Sequence, residues 1–183
     1  VFIDDNLSGS LINGHKVLTY NQWLGLPADT RYVSVAISSA RMRSELVAKC
    51  KRDAVQFFDI CAPNVIRMDD TVVGEGAILS PFVTITSNIR IGKYFHANLY
   101  SYIEHDCVIG DFVTFAPGVK CNGNVIVEDY VYIGAGAVIG NGKPGQPLTI
   151  GSGSVVGMGA VVTRSVPPGA TVVGNPAKQI RYE

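Results

Sequence analysis

The chain has little of what most catalytic and ligand-binding proteins carry in quantity. Histidine occurs three times in 183 residues, so any imidazole chemistry falls on His15, His96 or His105. The four cysteines, Cys50, Cys61, Cys107 and Cys121, form no CxxC pair. That excludes the common zinc and dithiol spacings and leads us to expect free thiols in a reducing, cytoplasmic compartment. Neither sign of charge is in excess: 15 basic residues balance 15 acidic ones. There is no basic stripe to hold nucleic acid and no charge block to make a disordered tail. Apolar residues reach 47%, but no run approaches the roughly 18 residues of a membrane span, and no signal-peptide pattern opens the chain.

Two textures are present. Residues 1–62 alternate strand and helix signals. "VFIDD" reads as a strand ending in two acids, and "VLTYNQWLGL" as a strand and a short helix capped by Asn21. "RYVSVAIS" and "VQFFDI" are further strands. Between them, "SSARMRSELVAKCKRDA" spaces Met42, Leu46, Val47 and Cys50 helically, with Ser38 or Ser39 as cap. This order predicts an α/β domain, a small parallel βαβ layer, with Asp4 and Asp5 at the strand end where such sheets bind ligands.

From residue 63 onward helical periodicity fades, and from Val73 apolar residues recur every six. Val73, Leu79, Ile85, Ile91, Ala97, Ile103, Ile109, Phe115, Cys121, Val127, Ile133 and Ile139 hold one register. Chance gives such a run roughly once in a thousand. The period breaks at 141–149, a Gly/Pro-rich insertion, and resumes at Ile150, Val156 and Val162. A six-residue period predicts a parallel β-helix over 63–183, in which three hexapeptides form one coil. Val73, Ile91, Ile109 and Val127 should stack as an inward column. A solenoid needs covered ends. The βαβ layer is expected over one, and "SVPPGATVVGNPAKQI" over the other.

The register also sorts the stretch "SYIEHDCVIGD". Ile103, Cys107 and Ile109 point inward. His105 and Asp106 are left on an outer turn, with Glu104 beside them. A neutral imidazole near pH 7 can take a proton from an attacking amine or hydroxyl, and a carboxylate can orient it. The inward position of Cys107 favours packing over an acyl-enzyme role. A metal enzyme on the same β-helix would need three converging histidines. His96 and His105 lie half a coil apart, so no metal is expected. A non-catalytic solenoid would show regular threonine arrays, which are missing.

"IDDN", "VAIS" with its Arg-bearing helix, "IEHDCVIGD", "PGVKCNGNV", "IGAGAVI" and "GNPAK" together resemble the bacterial left-handed β-helix acetyltransferases. These acetylate nucleotide-linked amino sugars, with sialic acid O-acetyltransferases as relatives. The resemblance covers nearly the whole chain. It implies a nucleotide-sugar-binding domain at 1–62 and an acetyltransferase β-helix at 63–183. It implies acetyl-CoA as co-substrate, no metal, and a cytoplasmic homotrimer with active sites between subunits. The family begins with a strand and Gly-rich turn that precede the segment matching "VFIDD", so about thirty upstream residues are expected.

Residue by residue, the resemblance makes His105 the general base, Asp106 its orienting carboxylate and Gly123 the backbone donor to the acetyl carbonyl. Thr114, Ala135, Met158 and Lys178 fall at coenzyme A positions. Asp4, Asp5, Ser38 and Asn98 fall at sugar-nucleotide or acceptor positions, as does Arg43 more distantly. Asp106 also reads as a turn residue, Gly123 as a corner glycine and Asn98 as part of an asparagine stack. The implied reaction is direct N-acetylation of a nucleotide-linked 4-amino-4,6-dideoxy sugar. O-acetylation of a sialic-acid-type sugar is the alternative, because the same base can activate a hydroxyl.

Overall fold

The computed structural model describes residues 1–180. By its contacts the chain divides into two units, Val1–Arg31 and Tyr32–Glu183.

In the first unit, β1 (Phe2–Ile3), β2 (Leu11–Ile12) and β3 (His15–Leu18) form one sheet in the order β1-β3-β2, followed by α1 (Tyr20–Leu24). β1 runs parallel to β3, but β2 is antiparallel to it. The sheet is therefore mixed and not wholly parallel. The reason is "NG": Asn13 and Gly14 both take positive φ (48° and 79°), the geometry of a two-residue hairpin turn. The cap of α1 is Thr19 and not Asn21. Its hydroxyl accepts the Gln22 N–H (3.1 Å) and the Gln22 side chain accepts the Thr19 N–H (2.9 Å), a reciprocal capping box. Val17, Tyr20 and Trp23 are buried.

The second unit opens with β4 (Tyr32–Val33), α2 (Ala40–Arg52) and β5 (Gln56–Phe57), with β4 parallel to β5. Ser39 caps α2, accepting the Met42 N–H. The expected inward face of α2 needs one correction. Met42 is exposed, and Arg43, one residue on, is fully buried beside Val47 and Cys50.

Coils follow from Ile60–Cys61 onward. Short strands stack into three parallel sheets in which each residue pairs with the one eighteen further along, as in Thr84↔Tyr102, Arg90↔Val108 and His96↔Thr114. The anchors Ile85, Ile103, Ile109, Phe115, Ile133 and Ile139 are buried in one continuous core. Val73, Ile91, Ile109 and Val127 stack in register as expected. The insertion folds as a small hairpin in which Lys143 and Gln146 exchange backbone hydrogen bonds of 3.0 and 2.9 Å. Beyond it Val127 pairs with Ile150, so the stack resumes without a fault. At the far end Thr171–Val173 continues the parallel sheet, and Lys178–Ile180 turns back antiparallel on it.

Within this unit α2 lies along the side of the coils. Val47 packs with Val35 and Tyr94, joined by Phe57 and Phe112. The rings of Tyr94, Phe112 and Tyr130 stack up one corner at centroid spacings of 5.0 and 5.2 Å, within the range of favourable offset stacking.

Candidate active site

Each coil turns at three corners, and in the middle coils one residue per corner takes positive φ. Tyr94, Phe112 and Tyr130 mark one corner; Phe82, Tyr100, Gly118 and Gly136 mark the second. The third is marked by Asp70, Asn88, Asp106 and Asn124, the residue types that tolerate the left-handed region best after glycine. His105 stands on this third corner, between the strands Tyr102–Ile103 and Val108–Ile109.

Its side chain is half exposed, and Nδ1–H donates to Asp106 Oδ2 at 2.8 Å. The left-handed turn at Asp106 (φ 59°) carries the carboxylate back alongside the preceding ring. The pair tunes itself. The hydrogen bond and charge of Asp106 raise the His105 pKa above the ordinary imidazole value, with Glu104 contributing less. Asp106 in turn is lowered, by His105 first and then by Asn88, whose Nδ2 donates to Asp106 Oδ1 at 3.1 Å. With Nδ1 committed to the carboxylate, Nε2 is the atom left to take a proton.

Gly123 lies one coil beyond, directly against the ring. A Cβ built there would meet His105 Cε1 at 2.5 Å and Nε2 at 2.6 Å, distances no side chain tolerates. The neighbouring Asn124 N–H donates to the His105 carbonyl (3.0 Å). Tyr102 donates from its hydroxyl to Asn122 Oδ1 (2.9 Å), bracing the same turn. His105, Asp106 and Gly123 are thus brought together. Cys107 points into the core, its thiol donating to the Asn122 carbonyl at 3.2 Å. Next to it, Cys121 has its pKa raised by its hydrogen bond with Cys107 and by burial.

The remaining expected residues lie elsewhere. Asn98 is on the corner marked by Tyr100, where Nδ2 donates to the Phe115 carbonyl (3.1 Å). It is therefore not beside His105 in the same chain, and no second asparagine stacks on it, since Ala116 holds the same place one coil on. Ala135 and Met158 share that corner one coil apart, joined by the hydrogen bond from the Gly159 N–H to the Ala135 carbonyl (2.8 Å), and both are exposed. Lys178 is exposed on the last strand. In the first unit, Asp4 Oδ1 accepts the N–H groups of Asn6 and Leu7, and Asp5 Oδ1 accepts the Tyr20 N–H. Both acids therefore also shape the local backbone.

Thr114 is buried, and its hydroxyl accepts from Arg43 (3.1 Å) and donates to the Ser38 carbonyl (3.2 Å). Arg43 also donates to the carbonyls of Ile37, Ser38, Phe112 and Val113. Among the described residues no carboxylate pairs with it, and burial lowers its pKa to about 10. His96 Nδ1 lies 3.5 Å from it, and burial followed by the Arg43 charge lowers the His96 pKa to about 4. This clamp and the Asn88 contact were not found from sequence. A lone helical arginine and a corner asparagine carry no signature until the coils bring partners to them. Among the described residues no group of three or more His, Cys, Asp or Glu could hold a metal ion. None of their helices is long and apolar enough to cross a membrane.

No family model matches the chain, but individual proteins do. It is 52% identical over 181 residues to the GDP-perosamine N-acetyltransferase of Escherichia coli O157:H7, covering 99% of this chain and 82% of that protein. The solved structure of WeeI from Acinetobacter baumannii AYE superposes with a TM-score of 0.97 at 55% identity, over 98% of this chain and 84% of the other. The acetyltransferase domain of PglB from Neisseria gonorrhoeae FA1090, in complex with acetyl coenzyme A, gives 0.84 at 27% identity, over 98% and 85%. With this degree of identity along nearly its whole length, the chain belongs to the bacterial left-handed β-helix, or hexapeptide-repeat, acetyltransferases.

Proposed function

We propose that the protein transfers the acetyl group of acetyl-CoA to the 4-amino group of a nucleotide-linked 4-amino-4,6-dideoxy sugar, with GDP-perosamine as the first substrate to test. The observation that carries this reading is the His105–Asp106 pair seated over Gly123 in a chain 52% identical to a GDP-perosamine N-acetyltransferase.

The neutral sugar amine attacks the thioester carbonyl and forms the C–N bond while His105 Nε2 takes its proton. Asp106 stabilises the resulting imidazolium. The backbone N–H of Gly123 is assigned to the developing oxyanion. The C–S bond then breaks, and the imidazolium proton passes to the CoA thiolate. With Cys107 buried, acetyl moves directly from coenzyme to amine.

The pantetheine arm is assigned to the backbone at Ala135 and Met158, and the CoA phosphates to Lys178. The nucleoside is assigned to Asp4 and Asp5, and backbone contact at the acceptor to Ser38. Residues 1–62 are the proposed nucleotide-sugar domain and 63–183 the acetyltransferase domain. His105 and the pair Ala135 and Met158 stand on different corners of one β-helix, so a complete site calls for two copies side by side. A homotrimer supplies this, with Asn98 approaching His105 from the neighbouring copy.

The test is release of free CoA with acetyl-CoA and a panel of GDP-, UDP- and dTDP-linked 4-amino-4,6-dideoxy sugars, with free sialic acid alongside. Release with a nucleotide amino sugar is the expected result. Turnover of sialic acid alone would overturn the acceptor assignment, and near-normal turnover by His105→Ala would overturn the base.

A further inference from the structure

We propose that Asn88 is a positioning residue of the proton-transfer machinery, the outer member of an Asn88–Asp106–His105 chain that fixes the carboxylate so that the imidazole presents Nε2. This inference rests on the reading of His105 as the base.

Asp106 is half exposed. Held on one side only, a carboxylate there would rotate about χ2 and leave the ring for much of the time. It is held on both sides. Oδ2 accepts from His105 at 2.8 Å and Oδ1 accepts from Asn88 Nδ2 at 3.1 Å. A carboxylate only accepts, so the amide nitrogen, and not its oxygen, faces it.

The two partners reach each other because they occupy the same corner one coil apart, both with positive φ (61° and 59°). The Asn88 backbone is itself tied down by its N–H, which donates to the Asp69 carbonyl (3.2 Å). One coil earlier the same corner is closed differently, by Arg90, whose Nη2 donates to both carboxylate oxygens of Asp70 at 2.8 and 3.0 Å. Between Asn88 and Asp106 the side-chain link is instead made by a neutral amide. An aspartate in its place would set two carboxylates against each other and compete for the ring. The charged and titratable groups acting on His105 are Asp106, Glu104 and Cys107, and Asn88 touches only the first of these.

Asn88→Gly deletes the amide while suiting the positive φ, so folding is preserved and the chemistry is isolated. In that variant kcat is expected to fall about tenfold, a part of the 10²–10⁴ that a positioned general base contributes. KM for both substrates is expected to hold, and the acid limb of the pH–rate profile to move to lower pH. Asn88→Asp, which keeps the turn preference but adds charge, is expected to move that limb to higher pH. The His105 ring titration, followed by NMR, is read without turnover. A titration that Asn88→Gly leaves unmoved overturns the proposal, whatever the rate does. A titration that shifts while kcat stays normal overturns Asn88 as a positioning residue of proton transfer, whereas failure of His105 as the base is read separately, from His105→Ala.

Discussion

At the residue scale, the ring of His105 works from the space that Gly123 leaves. Gly123→Ala places a methyl within 2.6 Å of Nε2. The ring stands on a half-exposed corner, so it swings away instead of breaking the fold. We expect kcat to fall by about 10² or more, with Tm close to that of the parent protein. Stopped turnover assays beside thermal unfolding check both halves. The pH dependence follows from the raised His105 pKa. If His105 is the base, as proposed, it must be neutral, so activity is expected to rise with pH through a value above that of ordinary imidazole. Asp106→Asn removes the principal cause of the shift. Its acid limb should move to lower pH, while its plateau falls because the ring is a weaker and less oriented base. A profile of kcat/KM against pH for the two proteins decides it.

At the element scale, one side chain supplies the polar part of the seating of α2. Arg43 satisfies carbonyls from the turn before the helix and from the coil at Phe112–Val113. Arg43→Met leaves them buried without donors and should cost about 3 kcal/mol in urea unfolding. Arg43→Lys should recover little of this, since an ammonium cannot span both sets. His96, packed against the same guanidinium, makes the seating sensitive to acid. The unfolded chain binds its proton near 6.5 and the folded chain near 4. Stability from this source is therefore complete above about pH 6.5. It falls by up to about 1.4 kcal/mol per pH unit as pH drops towards 4, and then levels. Unfolding curves across that window should be flatter for His96→Gln.

At the scale of the whole molecule, the corners decide what one copy can do. His105 and Asp106 occupy one corner, while Asn98, Ala135 and Met158 occupy another. If the proposed site is shared between copies, two crippled chains can complement each other. Coexpressed His105→Ala and Ala135→Arg chains, each inactive alone, should regain a fraction of the parent activity in mixed trimers. Sedimentation of the parent protein should give the mass of three chains. A fully active monomer, or no recovery in the mixture, would place the whole site within one copy.

The β-helix was legible because its cause repeats. One inward anchor every six residues, from Val73 to Ile139, is a covalent fact, and the column Val73–Ile91–Ile109–Val127 follows from it by counting. The same count put Cys107 inside and left His105 and Asp106 on a turn. Less was legible in residues 1–62, where the cues are single and local. "NG" and the Thr19–Gln22 box both stand in the sequence, but the βαβ pattern around them and Asn21 beside them are competing local signals. The burial of Arg43 in place of Met42 could not be read from helical spacing, because a cation goes inside only where carbonyls from distant coils converge on it. So the sequence alone determined the period, and with it which side chains face in or out. Tertiary structure decided which outward groups meet: the amide of Asn88 on Asp106, and the bare Cα of Gly123 under His105. The physical reason is that such partners lie eighteen residues apart along the chain and become neighbours only when one coil is laid on the next.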